Sequence, residues 1–206
     1  MKPYIDYSLY LVTDRHCLQG RDFLYCLEEA LAGGVTLVQL REKDASMSEF
    51  LQVGEKVQEL CGKYRVPLLI NDNVAVAQRL NAQGVHLGQS DEAMVEARKA
   101  LGEDAIIGIS THNVEEAILA EKQGADYLGV GALFPTGSKG DAKVVGLEVL
   151  KEIKKAVKIP LVGIGGIGLT QYPLVRAAGA SGCAMISSIL GAEDIRKTVE
   201  AMGKSF

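Results

Sequence analysis

Strand-like and helix-like stretches alternate eight times along this chain, with polar residues gathered at the ends of the strands. The strand-like stretches fall at 9–13, 35–40, 67–70, 85–87, 105–109, 127–134, 160–164 and 182–186. Helix-like stretches follow them at 23–32, 47–64, 75–80, 93–101, 115–123, 147–157, 174–178 and 195–202. The strands are rich in apolar residues on both faces, which implies burial between a barrel interior and surrounding helices. Eight near-equal units predict an α/β chain folded as one (β/α)8 TIM barrel over residues 1–206, a single domain without a linker. An open doubly wound sheet is the alternative that the same alternation permits. Ser46 with Glu49 three residues on predicts a capping box at the start of the second helix. Glycines at 33–34, 84, 124 and 179 each follow a helix, where a left-handed cap is needed.

Composition narrows the possible roles. The 206 residues suffice for a sizeable core, and 48% of them are apolar. A net charge of -4 argues against a broad nucleic-acid footprint. No apolar run is long enough to span a bilayer. The start, Met1-Lys2-Pro3-Tyr4, lacks the apolar core of a secretion signal, so a cytoplasmic protein is expected. The four cysteines, Cys17, Cys26, Cys61 and Cys183, form no Cys-x-x-Cys pair and no zinc pattern. They read as structural thiols, Cys26 and Cys183 buried.

The strand ends carry the chemistry. They are Gln39-Leu40-Arg41-Glu42-Lys43, Asn71-Asp72, His86-Leu87-Gly88-Gln89-Ser90-Asp91, Thr136-Gly137-Ser138-Lys139 and Gly163-Ile164-Gly165-Gly166. In a parallel barrel these ends converge on one mouth. Asp72 and Asp91 leave adjacent strands, which run ~4.8 Å apart, so both can reach one ion. An oxygen-only donor set favours magnesium, and either aspartate alone would equally serve as a helix cap. Arg41 and Lys43 have the alternate spacing that turns both into the mouth, with Lys139 approaching from across the ring. Cations on two sides suit a diphosphate. Gly166 and Ser187, after the seventh and eighth strands, occupy the usual phosphate position of a barrel. Ser110 is placed to bond a substrate ring or phosphate. His112 reads equally as an acid/base or a structural histidine, and His86 as a buried, hydrogen-bonded side chain. The stretch 135–145 is expected to form a flap over the mouth.

Taken in order, Gln-Leu-Arg-Glu-Lys, Ile-Asn-Asp, His-Leu-Gly-Gln-x-Asp, Pro-Thr-x-Ser-Lys, Gly-Ile-Gly-Gly-Ile and Met-Ile-Ser resemble the thiamine-phosphate synthase family from Tyr10 to about Met202. The resemblance implies a barrel enzyme, a transferase that joins a pyrimidine methyl diphosphate to a thiazole phosphate and releases diphosphate. It implies that Gln39, Arg41, Lys43 and Asn71 hold the aminopyrimidine diphosphate, with Leu40 and Glu42 counted in the same binding segment. Ser110 and Lys139 would also contact that substrate, and Arg41, Lys43, Ser110 and Lys139 would act in catalysis. Asp72 and Asp91 would bind magnesium. Thr136, Gly137 and Ser138 would meet the thiazole phosphate, together with Gly166, Ile186 and Ser187. Gly137 departs from the bulkier residue common at that position. A homodimer is the one further association the resemblance suggests; the other partners are small-molecule substrates. The competing readings are a thiazole tautomerase, with His112 as acid/base, and a non-catalytic phosphate-ligand-binding barrel.

Overall fold

A computed structural model of the protein describes residues 2–89, 91–137 and 143–204, with the backbone alone at 91–93. Eight parallel strands close on themselves in chain order: β1 (Leu9–Val12), β2 (Leu37–Leu40), β3 (Leu68–Asn71), β4 (Gly84–Leu87), β5 (Ile106–Thr111), β6 (Tyr127–Val130), β7 (Leu161–Ile164) and β8 (Gly182–Met185). The ring is sealed by β1 against β8 through Leu9↔Cys183, Tyr10↔Ala184 and Leu11↔Met185. That pairing settles the choice between closed barrel and open sheet. The helices are α1 (Phe23–Gly33), α2 (Met47–Tyr64), α3 (Val74–Leu80), α4 (Asp91–Leu101), α5 (Val114–Lys122), α6 (Gly146–Ala156), α7 (Tyr172–Ala177), α8 (Ser187–Leu190) and α9 (Ile195–Gly203). Among the described residues no helix is long and apolar enough to cross a membrane.

Alternation along each strand divides the apolar residues between two cores. On β1, Leu9 and Leu11 face the helices while Tyr10 and Val12 face the barrel axis. On β2, Val38 and Leu40 face out while Leu37 and Gln39 face in. Leu69, Ile106 and Val162 continue the inner layer, and Ile5 and Tyr7 of the N-terminal segment pack into the same cluster. Below β5 and β6, Arg98 donates to the carbonyl oxygens of Ala105 and Gly124 and pairs with Asp126 at 2.8 Å. Cys26, Cys61 and Cys183 are buried, and Cys17 is partly exposed.

Local chemistry sets the helix boundaries. Ser46 Oγ accepts the Glu49 N–H at 3.3 Å and the Glu49 carboxylate accepts the Ser46 N–H at 2.8 Å, the expected capping box. One cap differs from expectation. Asn81, not Gly84, ends α3, with φ of 51°, because asparagine tolerates the left-handed conformation and the chain needs the next residues to enter β4. The short α8 has too few residues to show a periodicity in sequence.

Two interior glycines are dictated by their neighbours. A Cβ on Gly108 would lie 2.1 Å from Cζ of Tyr127, and one on Gly129 would lie 3.0 Å from Cε1 of His86. We expect Gly108→Ala to destabilise the fold by ~1–3 kcal/mol through overpacking against a stiff ring. Urea denaturation followed by far-UV circular dichroism checks this; an unchanged midpoint would mean that Tyr127 moves aside freely.

Candidate active site

A cavity of about 530 Å³ opens where the strands end. Gln39, Arg41, Asn71, Asp72, Ser110, Thr136, Gly166, Ile186 and Ser187 all line it, contributed by the ends of five strands and the loop after β6.

Arg41 is the buried cation of this cavity, only 7% exposed. It sits one residue past β2, so the inward facing of Gln39 carries through to it. Its Nη1 donates to Asp14 Oδ2 at 2.9 Å, and its backbone N–H donates to Thr13 Oγ1 at 3.0 Å. Asp14 also accepts the His16 N–H and meets the His16 ring, each at 3.0 Å. Burial pushes the Asp14 carboxyl up. The two His16 bonds and the Arg41 guanidinium outweigh that push, and the group is held below its ordinary value. The pair with Asp14 occupies one of the five N–H donors of the guanidinium, leaving the fork able to grip an anion.

Asn71 and Asp72 end β3. The Asn71 side-chain N–H donates to Asp72 Oδ2 at 2.5 Å, and the Asp72 backbone N–H reaches the His86 carbonyl on β4 at 2.9 Å. Asp72 holds a left-handed φ of 58°, which turns the chain sharply at the rim. Across the ring, Gly165 and Gly166 have φ of 94° and 66°. A Cβ on Gly166 would come 2.4 Å from the Pro135 carbonyl oxygen, so the segment after β6 lies directly on this turn. The Leu133 and Phe134 N–H groups bond the carbonyls of Ile164 and Gly165, which brings Thr136 over the β7 side of the mouth.

Some expected positions fall elsewhere. Leu40 is fully buried between β2 and the helices, because the residue between two inward-facing neighbours must face out; its side chain is not a site residue. Lys43 is exposed and lines a neighbouring groove rather than the cavity, since β2 ends at Leu40 and strand alternation does not extend to 43. Glu42 lies in that groove, paired with Arg15 at 2.8 Å, and Gly137 lies there too. Arg41 and Ser187 border both spaces, so groove and cavity are continuous. His112 stands at the cavity rim with its backbone N–H and Nδ1 on the Glu116 carboxylate, at 2.7 and 3.1 Å. Ser138, Lys139 and the centre of the expected flap lie outside the described residues, and so does the Asp91 side chain, although Asp91 opens α4.

Sequence reasoning passed over Asp14, Tyr10 and Tyr127. Asp14 follows β1 as Arg41 follows β2, and the strand-end rule would have found it. The two tyrosines line the cavity, and their hydroxyls meet at 2.8 Å.

The family described as thiamine monophosphate synthase matches residues 9–189. The chain belongs to that family. Thiamine-phosphate synthases of Clostridium tetani and Clostridium acetobutylicum are each 50% identical to it over 198 residues, covering 96% of this chain and 95% and 94% of theirs. The solved thiamine phosphate pyrophosphorylase from Pyrococcus furiosus superimposes with a TM-score of 0.89 at 40% identity, covering 97% of this chain and 95% of that one. These relatives share one named activity, and they span this chain almost end to end.

The Asp14–Arg41 pair carries a pH dependence of known sign. A carboxyl held low in the folded state stabilises the fold at pH above its unfolded value of ~3.9, and that contribution is lost as pH falls through the lower native value. Asp14→Asn should therefore be less stable than the unsubstituted protein near neutral pH, with the gap closing in acid below pH ~4. Chemical denaturation at a series of pH values measures it, and parallel stability curves would refute the coupling.

Proposed function

We propose that this protein joins the diphosphate ester of an aminopyrimidine methanol to a thiazole phosphate, forming thiamine phosphate and releasing diphosphate. One observation carries the reading: a desolvated, anchored arginine shares a cavity with Asn71-Asp72, Ser110 and the Gly166/Ser187 turn. The arrangement offers a cationic side, a polar centre and a phosphate-sized turn across one opening.

The chemistry follows from the substrates. Breaking the bond between the methylene and the diphosphate sends the electron pair to the leaving oxygen. An aminopyrimidine ring can delocalise the positive charge left on the methylene. The thiazole nitrogen then attacks that carbon, and no base or covalent enzyme intermediate is required. What the protein must do is neutralise the departing diphosphate, hold the cation away from water and align the nitrogen. Arg41 takes the first task, with Lys43 in the adjoining groove as a further cation and Lys139 assigned to the same task from the sequence. A unit charge pair at ~4 Å is worth about 4 kcal/mol at an effective dielectric of about 20, and each ~1.4 kcal/mol kept for the transition state is tenfold in rate. Because Asp14 already fixes Arg41, little reorganisation accompanies charge development. Gln39, Asn71 and Ser110 bond the aminopyrimidine substrate, and Thr136, Gly166, Ile186 and Ser187 seat the thiazole phosphate.

Magnesium fits the donors at the rim. Asp72 and Asn71 offer oxygen ligands, Asp91 opens the helix that follows the neighbouring strand β4, and so few protein ligands would leave room for water and diphosphate oxygens. When bound, it supplies positive charge beside the leaving diphosphate. In a tautomerase His112 would carry the protons through Nε2, since its backbone N–H and Nδ1 meet Glu116.

The test is diphosphate release from the purified protein with both substrates, with and without magnesium. Release should require both substrates and the metal. Proton exchange in the thiazole phosphate without diphosphate release would favour the isomerase, and ligand binding without turnover the non-catalytic barrel. Asp72→Asn keeps the left-handed turn and removes the charge, so the magnesium concentration for half-maximal activity should rise at least ~10-fold. An unchanged magnesium response would remove Asp72 from the metal site.

A further inference from the structure

Along the wall of the cavity, through residues that line it, runs a row of hydrogen bonds whose direction is set at one end. Gln39 Nε2 donates to the Tyr10 hydroxyl oxygen at 2.5 Å. An amide NH2 cannot accept, so Tyr10 passes its own proton to the Tyr127 hydroxyl, 2.8 Å away. Tyr127 in turn donates to His86 Nδ1 at 2.8 Å. A neutral imidazole that accepts at Nδ1 carries its proton on Nε2, and Nε2 stands 3.0 Å from Ser110 Oγ. Ser110 Oγ therefore accepts a hydrogen bond from His86 with one of its lone pairs. Its own hydroxyl proton turns to the cavity it lines.

The surrounding sequence is cut to fit this row. Gly108 leaves the space that the Tyr127 ring fills, and Gly129 leaves the space beside the His86 imidazole. Tyr7 stacks against Tyr127 with ring centroids 4.7 Å apart and holds it from the barrel floor. Burial raises the pKa of both Tyr10 and Tyr127, so each phenol keeps the proton that the row needs.

We propose that Tyr10 and Tyr127 are positioning residues of this site. Acting through His86, they fix Ser110 as a hydrogen-bond donor to the bound substrate. The group that the Ser110 hydroxyl proton meets is then an acceptor, a ring nitrogen or a phosphate oxygen. The inference rests on the reading that Ser110 faces substrate.

The test uses the full protein with 15N-labelled histidine, and the His86 signals are assigned by comparison with His16→Asn and His112→Asn. At neutral pH the free protein should show His86 protonated on Nε2 and bare on Nδ1. Tyr127→Phe removes the donor to Nδ1, so both tautomers should appear, and turnover should fall ~10-fold. Tyr10→Phe covers the case in which Tyr127→Phe does not fold; it breaks the row upstream and should shift the tautomer ratio in the same direction. A proton on Nδ1 in the unsubstituted protein overturns the proposal. An unchanged tautomer in the folded variants overturns it as well. The spectrum is read without substrate, so a wrong tautomer refutes the row even in an active enzyme. An inactive protein with the expected tautomer would instead refute the proposed reaction.

Discussion

Each strand of this barrel must satisfy two interiors at once. Its side chains alternate between the axis and the helices, and closure of the ring removes any freedom to slip by one residue. Everything at the mouth follows from that register. With Leu37 at the axis, Gln39 and then Arg41 must also point inward, and Leu40 must leave the site for the outer core. The same counting on β5 lifts Ser110 into the cavity above Gly108 and Ile106. Placement of the polar groups is therefore a by-product of packing the apolar ones.

Electrostatics then acts on positions already fixed. The molecule as a whole is mildly acidic, so attraction of anions has to be local. A buried guanidinium alone would be costly, and the Asp14 carboxylate makes it tolerable. The pair has little net charge, and its use lies in orientation: a planar fork held toward one opening before any ligand arrives. Lys43, exposed in the neighbouring groove, is a different kind of cation, hydrated and mobile along its stem.

The fold was readable in the sequence because eight strand–helix units leave a clear period, and the rim was readable because polar residues interrupt apolar strands at one end only. The capping box at Ser46 was visible for similar local reasons, and so were the hydrogen bonds of His86, although that residue is half-buried in the cavity wall rather than buried as expected. What escaped notice depended on partners distant in sequence. Tyr10 and Tyr127 look like filler until the ring brings their hydroxyls together across 117 positions. Asp14 was obscured because β1 was drawn one residue too long, over Thr13, and its reason for being there, Arg41, lies on the next strand. Lys43 was misplaced by extending strand alternation beyond the last strand residue. Asn81 showed that a left-handed cap can be built without glycine.

The floor of the barrel sets an order of events during synthesis. Ile5 and Tyr7 leave the ribosome well before β8, yet they have no seat until β8 lies against β1. The carbonyl of Ser8 bonds the Cys183 N–H, and Gly182 allows the Tyr7 backbone to pass beside it. The segment ahead of β1 thus waits for all eight strands to emerge before it can plug the base. Until then Tyr127 lacks the ring beneath it, and a nascent chain that stops short of Gly182 holds an open-ended sheet with its first strand unpaired on one side.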